Sequence, residues 1–133
     1  MILFDKRDVG DIGERAAARY LRRNGYRILA RNCHLGKNEL DIVARDKHYI
    51  AFVEVKTLAF DDPASADRRP SLAVDMGKRR RTAEAARAYL RIHPTKLCPR
   101  LDVIEVYLDR SRRMKPFKIH HIPAAFCADG SLH

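Results

Sequence analysis

The stretch NELDIVARDKHYIAFVEVK, residues 38–56, decides the fold of this chain. Its polar and apolar residues alternate with a period of two, which is typical of β-strands rather than helices. The pattern predicts one strand over 39–45, a tight connection at Asp46-Lys47 and a second strand over 48–56. Two strands joined by so short a connection are expected to pair antiparallel.

Further elements are predicted on both sides of this stretch. Apolar residues at helical spacing indicate a helix over 11–24, with Asp11 and Glu14 as a capping box and Gly25 as the stop. The remaining expected elements are a strand over 26–32, a turn over 34–38, a loop over 60–72, a helix over 76–92 capped by Asp75, and strands over 101–108 and 117–122.

The resulting order, α-β-β-β-α-β-β, predicts an α/β domain with a mixed sheet rather than a Rossmann-type alternation. A length of 133 residues fits a single domain over 1–133, and 46% hydrophobic with 33% charged residues is globular composition. No apolar run approaches the ~20 residues of a membrane span. The N-terminus has no long apolar core of a secretory signal. We therefore expect a cytoplasmic protein without membrane association.

The positive charge of the chain is concentrated in one segment. Lys and Arg number 27 against 17 Asp and Glu, a net charge of +10, and residues 68–100 carry 10 basic and 2 acidic groups. Such a patch favours contacts to a nucleic-acid backbone, although a solvated helix face is the alternative. Aromatic residues are not interleaved with these charges, so duplex or branched DNA is favoured over single strands. The predicted contacts are Arg68, Arg69, Lys78, Arg79, Arg80, Arg81 and Arg87.

Cysteine and histidine are not arranged for metal binding. Cys33, Cys98 and Cys127 are far apart in the sequence and form no Cys-x-x-Cys motif, so reduced thiols are expected. His120 and His121 are adjacent on a predicted strand, so their side chains should point to opposite faces.

Carboxylates recur at strand spacing. In the strand predicted over 39–45, the period of two puts Glu39 and Asp41 on one face. It puts Leu40, Ile42 and Ala44 together on the other, core-facing side.

The next strand adds Glu54 in an apolar run, where an unpaired charge is costly. One compensation is an ion pair with Lys56, two residues on. The other is a divalent cation shared with Asp41, since two carboxylates are a minimal set for Mg²⁺. A lysine beside such an ion can neutralise charge that develops on a phosphate, which is the chemistry of phosphodiester hydrolysis.

Four sequence blocks follow one another in a specific order: Gly13-Glu14-Arg-Ala-Ala, then Gly25-Tyr-Arg-Ile-Leu-Ala-Arg-Asn32, then Asn38–Ala44, then Phe52–Thr57. Together they closely resemble the YraN family of small bacterial proteins. That family looks like a branch of the restriction-endonuclease-like PD-(D/E)xK nucleases, related to archaeal Holliday-junction resolvases. The resemblance continues to Ala125-Phe126 and so covers nearly the whole chain.

The resemblance implies a restriction-endonuclease-like αβββαβ core and a Mg²⁺ (or Mn²⁺) dependent endonuclease acting on DNA. It implies that Asp41 and Glu54 bind the metal, with the Val55 carbonyl as an extra ligand. Lys56 would be the catalytic lysine and Glu14 an acid that points to the metal centre. Glu39 would not bind the metal itself but would lie next to the metal ligands and help to position them.

Two positions depart from the family pattern, and other functions stay open. Asn38 stands where the family usually has Gly, and Leu58 where an Arg commonly follows Lys-Thr. The alternatives are a catalytically silent nucleic-acid-binding module and a protein that binds an acidic partner. Cleavage of both DNA strands would suggest a homodimer.

Overall fold

Two helices and five strands are present in the computed structural model, which describes residues 4–68, 75–128 and 130–131. In chain order they are α1 (Lys6–Arg23), β1 (Arg27–Leu35), β2 (Asn38–Arg45), β3 (Tyr49–Phe60), α2 (Met76–Ile92), β4 (Cys98–Asp109) and β5 (Lys115–Ile122), with short 3-10 turns at Pro63–Arg68 and Arg110–Arg112. This order confirms the predicted α-β-β-β-α-β-β succession and a mixed α/β architecture.

The sheet has the strand order β1-β2-β3-β4-β5. β1, β2 and β3 form an antiparallel meander, β3 and β4 are parallel, and β4 and β5 are antiparallel. Parallel neighbours need a crossover, and α2 supplies it. The predicted bounds of α2 and its cap are confirmed: the Asp75 side chain accepts the Lys78 backbone N–H at 2.8 Å.

The start of the first helix differs from the prediction. α1 begins at Lys6, and its capping box is formed by Asp5 and Asp8, each accepting the other's backbone N–H. The predicted capping box of Asp11 and Glu14 is therefore wrong, because the helix has already begun five residues earlier. Glu14 lies in the middle of the helix and is buried against the sheet.

The two helices cover opposite faces of the sheet. α1 packs with Ile42 and Ala44, whereas α2 packs with Leu40 and Val43. The prediction that Leu40 and Ile42 share a face is thus wrong. The burial of β2 does not alternate there, because Ile42, Val43 and Ala44 are buried in succession in a sheet that is covered on both faces.

The long central strands exceed their predicted ends because they pair with each other. β3 continues to Phe60, in register with β4 from Tyr49↔Cys98 to Phe60↔Asp109. The three cysteines are free, as expected. Over the described residues, no helix is long and apolar enough to cross a membrane.

Candidate functional site

Asp41 lies where β2 and β3 separate. The pairing between these strands ends at Ile42↔Val53, so Asp41 is one residue beyond the last pair. Its carboxylate accepts the Val55 backbone N–H at 2.9 Å. Because an extended residue directs its N–H and C=O groups to the same side, the Val55 carbonyl is directed to the same gap.

Glu54 is the buried acid of the site, with 1% of its surface exposed. Thr82 of α2 donates its hydroxyl to Oε2 at 3.0 Å, and the Lys78 ammonium lies 2.5 Å from Oε1. Burial first, and then the charge of Asp41, raise the pKa of Glu54 to about 7, although Lys78 opposes the shift. The two acids therefore interact electrostatically, and α2 holds Glu54 in place.

Asp41 and Glu54 open into one cavity of about 220 Å³, here called the acidic cavity. Glu39 also lines it but is half-exposed, 4.0 Å from His34. The Asn38 side chain is 7% exposed, and its Oδ1 has no hydrogen-bond partner among the described residues. The lining residues are Lys37, Asn38, Glu39, Asp41, Glu54, Lys78, Arg81 and Thr82.

Glu14 reaches the site from α1. It lines a second cavity, of about 270 Å³, together with Asp41, Val55 and Lys78. Arg31 donates to its carboxylate at 3.3 Å. Burial raises the pKa of Glu14 above its ordinary value, against the opposing charge of Arg31. Asp41 lines both cavities, so it is shared by the cavity that contains Glu14 and the cavity that contains Glu54.

Lys56 and Lys78 differ in their position relative to these acids. Lys56 lines a third cavity, of about 680 Å³, with Val55 and Lys78, and none of the three acids lines that cavity. Lys78 lines all three cavities and is the lysine whose ammonium contacts Glu54. From the sequence alone, Lys78 is predicted only as one of several cations in the basic segment 68–100. Its place beside Glu54 depends on how α2 packs on β3, which no local pattern encodes.

The residues predicted to contact nucleic acid differ in how exposed they are. Arg80, Arg81 and Arg87 are exposed along α2. Arg79 is buried, with 7% of its surface accessible, and so does not share their exposed face. Arg68 closes the 3-10 turn Pro63–Arg68, and Arg69 lies outside the described residues.

The donor set fits a hard divalent cation. Asp41, Glu54 and Asn38 bring oxygens to one cavity, and the orphaned Asn38 Oδ1 is a buried acceptor still to be satisfied. Over residues 4–68, 75–128 and 130–131, no three acidic, imidazole or thiol groups already form a metal cage. Two carboxylates with water-filled positions are the arrangement that Mg²⁺ usually accepts.

Known proteins similar to this chain form one family. The model of "Uncharacterised protein family UPF0102" matches residues 13–106. A UPF0102 protein of Syntrophotalea carbinolica is 41% identical over 96% of this chain and 98% of its own length. Another, of Caldanaerobacter subterraneus, is 38% identical over 92% of this chain and 97% of its own. The chain therefore belongs to the UPF0102 family, the YraN family whose sequence blocks it carries.

Proposed function

We propose that this protein is a metal-dependent endonuclease that hydrolyses phosphodiester bonds in DNA. The observation that carries the proposal is the convergence of Asp41 and Glu54 on the acidic cavity, beneath the cationic first turns of α2. Buried carboxylates at such a convergence are costly unless a cation compensates them. A restriction-endonuclease-like core is proposed on the same grounds, together with the resemblance of the sequence blocks.

Asp41 and Glu54 would hold Mg²⁺ or Mn²⁺, with the Val55 carbonyl as a further donor. Bound there, the ion supplies Lewis-acid polarisation of a phosphate and a lower pKa for its water. Val55 fixes the Asp41 carboxylate through its N–H, and Thr82 fixes Glu54 through its hydroxyl. Glu14 adds a third acid on the opposite side of Asp41.

Cationic side chains would bind the substrate phosphates. Lys56 and Lys78 line one cavity, from which Lys78 reaches Glu54, and their ammonium groups would stabilise negative charge on a phosphate bound there. Arg80, Arg81 and Arg87 extend positive charge along α2 and suit contacts to the phosphate backbone. Such contacts do not read sequence, so a DNA shape, for example a branch, is the expected basis of selection.

The test is a cleavage assay on single-stranded, duplex and branched DNA with Mg²⁺ or Mn²⁺. We expect divalent-dependent nicking by the wild type, and its loss in Asp41→Asn with DNA binding retained. Asp61→Asn is the matched control, because Asp61 is 87% exposed in a surface pair with Arg110. Cleavage that survives in Asp41→Asn would contradict the proposal, as would cleavage of RNA alone.

A second function is a catalytically silent nucleic-acid-binding module. It is favoured by one contact: the Lys78 ammonium already forms an ion pair with Glu54 Oε1, while the Thr82 hydroxyl donates to Oε2. This function predicts salt-sensitive DNA binding without cleavage under any divalent cation. The same assay therefore separates the two.

A further inference from the structure

The Lys78 ammonium already compensates the acid pair. Its Nζ lies 2.5 Å from Glu54 Oε1, and the Glu54 side chain is 2% exposed while that of Lys78 is 46% exposed. The backbone of Lys78 is fixed in the first turn of α2 by Asp75, but the four-carbon side chain reaches into the site. One end of Lys78 is thus fixed in the helix, and the other is held at Glu54 by an ion pair on a flexible side chain.

Glu54 offers this cation a single oxygen. The Thr82 hydroxyl donates to Oε2, whereas Oε1 is buried, accepts no hydrogen bond within the described residues and lies against the Lys78 ammonium. A divalent cation bound between Asp41 and Glu54 would need the same oxygen. Two cations this close repel strongly in a poorly solvated site, so both cannot be held there together.

We propose that Lys78 is a resident counter-ion of the Asp41–Glu54 pair and that a divalent cation displaces its ammonium from Glu54. This inference rests on the proposed function, since it takes the acid pair as the metal site. The displaced ammonium has room to move, because Lys78 also lines the cavities that contain Glu14 and Lys56. Metal binding would thereby release the Lys78 ammonium close to the place where a phosphate of the substrate is proposed to bind.

The competition predicts that the metal binds more tightly when Lys78 is removed. We expect Lys78→Met to bind Mn²⁺ about tenfold more tightly than the wild type in isothermal titration. Lys37→Met is the matched control: Lys37 lines the same cavity and the charge change is identical, but the described residues give it no contact with Glu54. We expect its affinity to change by less than about threefold, from the screened charge alone.

A second readout follows the wild type itself, and a variant serves only to assign the signal. In a ¹H–¹³C NMR spectrum, the side-chain ε signal of Lys78 should move toward the position of exposed lysines when Mg²⁺ is added. The Lys78→Met spectrum assigns the signal by its absence. The corresponding signal of Lys37 should change little.

The outcomes separate this inference from the function on which it rests. Equal Mn²⁺ affinity in Lys78→Met and Lys37→Met, or a Lys78 signal that ignores Mg²⁺, would overturn the role of Lys78 alone. Absence of Mn²⁺ binding in the wild type and both variants would instead overturn the metal-dependent function and this inference with it.

Discussion

Gly13 of α1 and Thr57 of β3 are in direct contact, closer than any side chain at position 13 allows. A Cβ on Gly13 would lie 1.9 Å from Thr57 Oγ1 and 2.8 Å from Thr57 Cβ. The contact sets how near α1 comes to β3. It places the next residue, Glu14, in the cavity that Asp41 also lines.

Gly13→Ala should therefore destabilise the protein. The β-methyl group would force α1 away from β3, and overpacking of this kind costs about 1–3 kcal/mol. Gly10→Ala is the matched control, because a Cβ on Gly10 meets no atom within 4 Å. In a helix interior that change should stabilise by about 0.5–1 kcal/mol. Urea unfolding measures both, and equal free energies of unfolding for the two variants would contradict the packing argument.

The raised pKa of Glu54 predicts a pH-dependent stability in the metal-free protein. Burial and Asp41 raise this pKa to about 7, from 4.5. Between these values the folded state keeps a proton that the unfolded state has lost, so the free energy of unfolding falls as the pH rises toward 7. A shift of this size corresponds to about 3 kcal/mol between pH 4 and pH 8.

Glu54→Gln removes this dependence while keeping a partner for Thr82. Measured by urea unfolding with a chelator, the variant should match the wild type near pH 4 and exceed its stability at pH 8. Glu84→Gln, an exposed change on α2, should follow the wild type at both pH values. Parallel pH profiles for wild type and Glu54→Gln would show that Glu54 is not the group responsible.

Asp102 of β4 forms a buried polar network that the sequence did not identify. It is 0% exposed and accepts hydrogen bonds from Arg100, at 2.9 Å from both Nε and Nη2. It also lies 2.8 Å from His121 Nε2, and His121 Nδ1 lies 3.1 Å from the Tyr20 hydroxyl of α1. Burial acts to raise the pKa of Asp102, but the hydrogen bonds from His121 and Arg100 outweigh it and hold that pKa below its ordinary value.

Asp102→Asn should cost about 3–5 kcal/mol of stability, because it leaves the Arg100 charge without its counter-ion. Asp61→Asn breaks an exposed pair with Arg110 and should cost less than about 1 kcal/mol. Since the pKa of Asp102 is lowered, its contribution is present above pH 4 and disappears as the pH falls through the folded-state pKa. Thermal unfolding at pH 7 and pH 3 checks both points, and a similar loss for the two variants would contradict them.

Local patterns were enough to predict the presence of β2, β3 and α2, because β2 and β3 are extended apolar runs joined by a short turn and α2 begins after a capping Asp75. They failed where tertiary contacts decide. The first turns of α1 carry few apolar residues, so its start at Lys6 does not follow from the periodicity. The face of Leu40 does not follow from the pattern either, because β2 is buried from both sides of the sheet. His120 and His121 do point to opposite faces, pairing with Glu105 and Asp102. The same reasoning that singled out Glu54 in an apolar run applies to Asp102, between Leu101 and Val103, and could have found it.

Contacts between α2 and a DNA backbone predict a definite salt dependence. Each phosphate contact that is lost should reduce the slope of log K against log salt by about 0.9 for duplex DNA. Replacing Arg80, Arg81 and Arg87 together by Gln should therefore lower the slope by about 2.7. Fluorescence anisotropy of labelled duplex DNA, titrated over a range of NaCl concentrations, measures it.

The control for this prediction is the same change of charge on another surface. Arg19, Arg22 and Arg23 are exposed near the C-terminal end of α1, beyond the turn that carries Glu14. Their triple replacement by Gln alters the net charge by the same amount but removes no contact to DNA bound along α2. If the two triple variants lowered the slope equally, DNA binding would depend on the net charge of the protein alone. The prediction that the DNA backbone contacts lie on α2 would then be wrong.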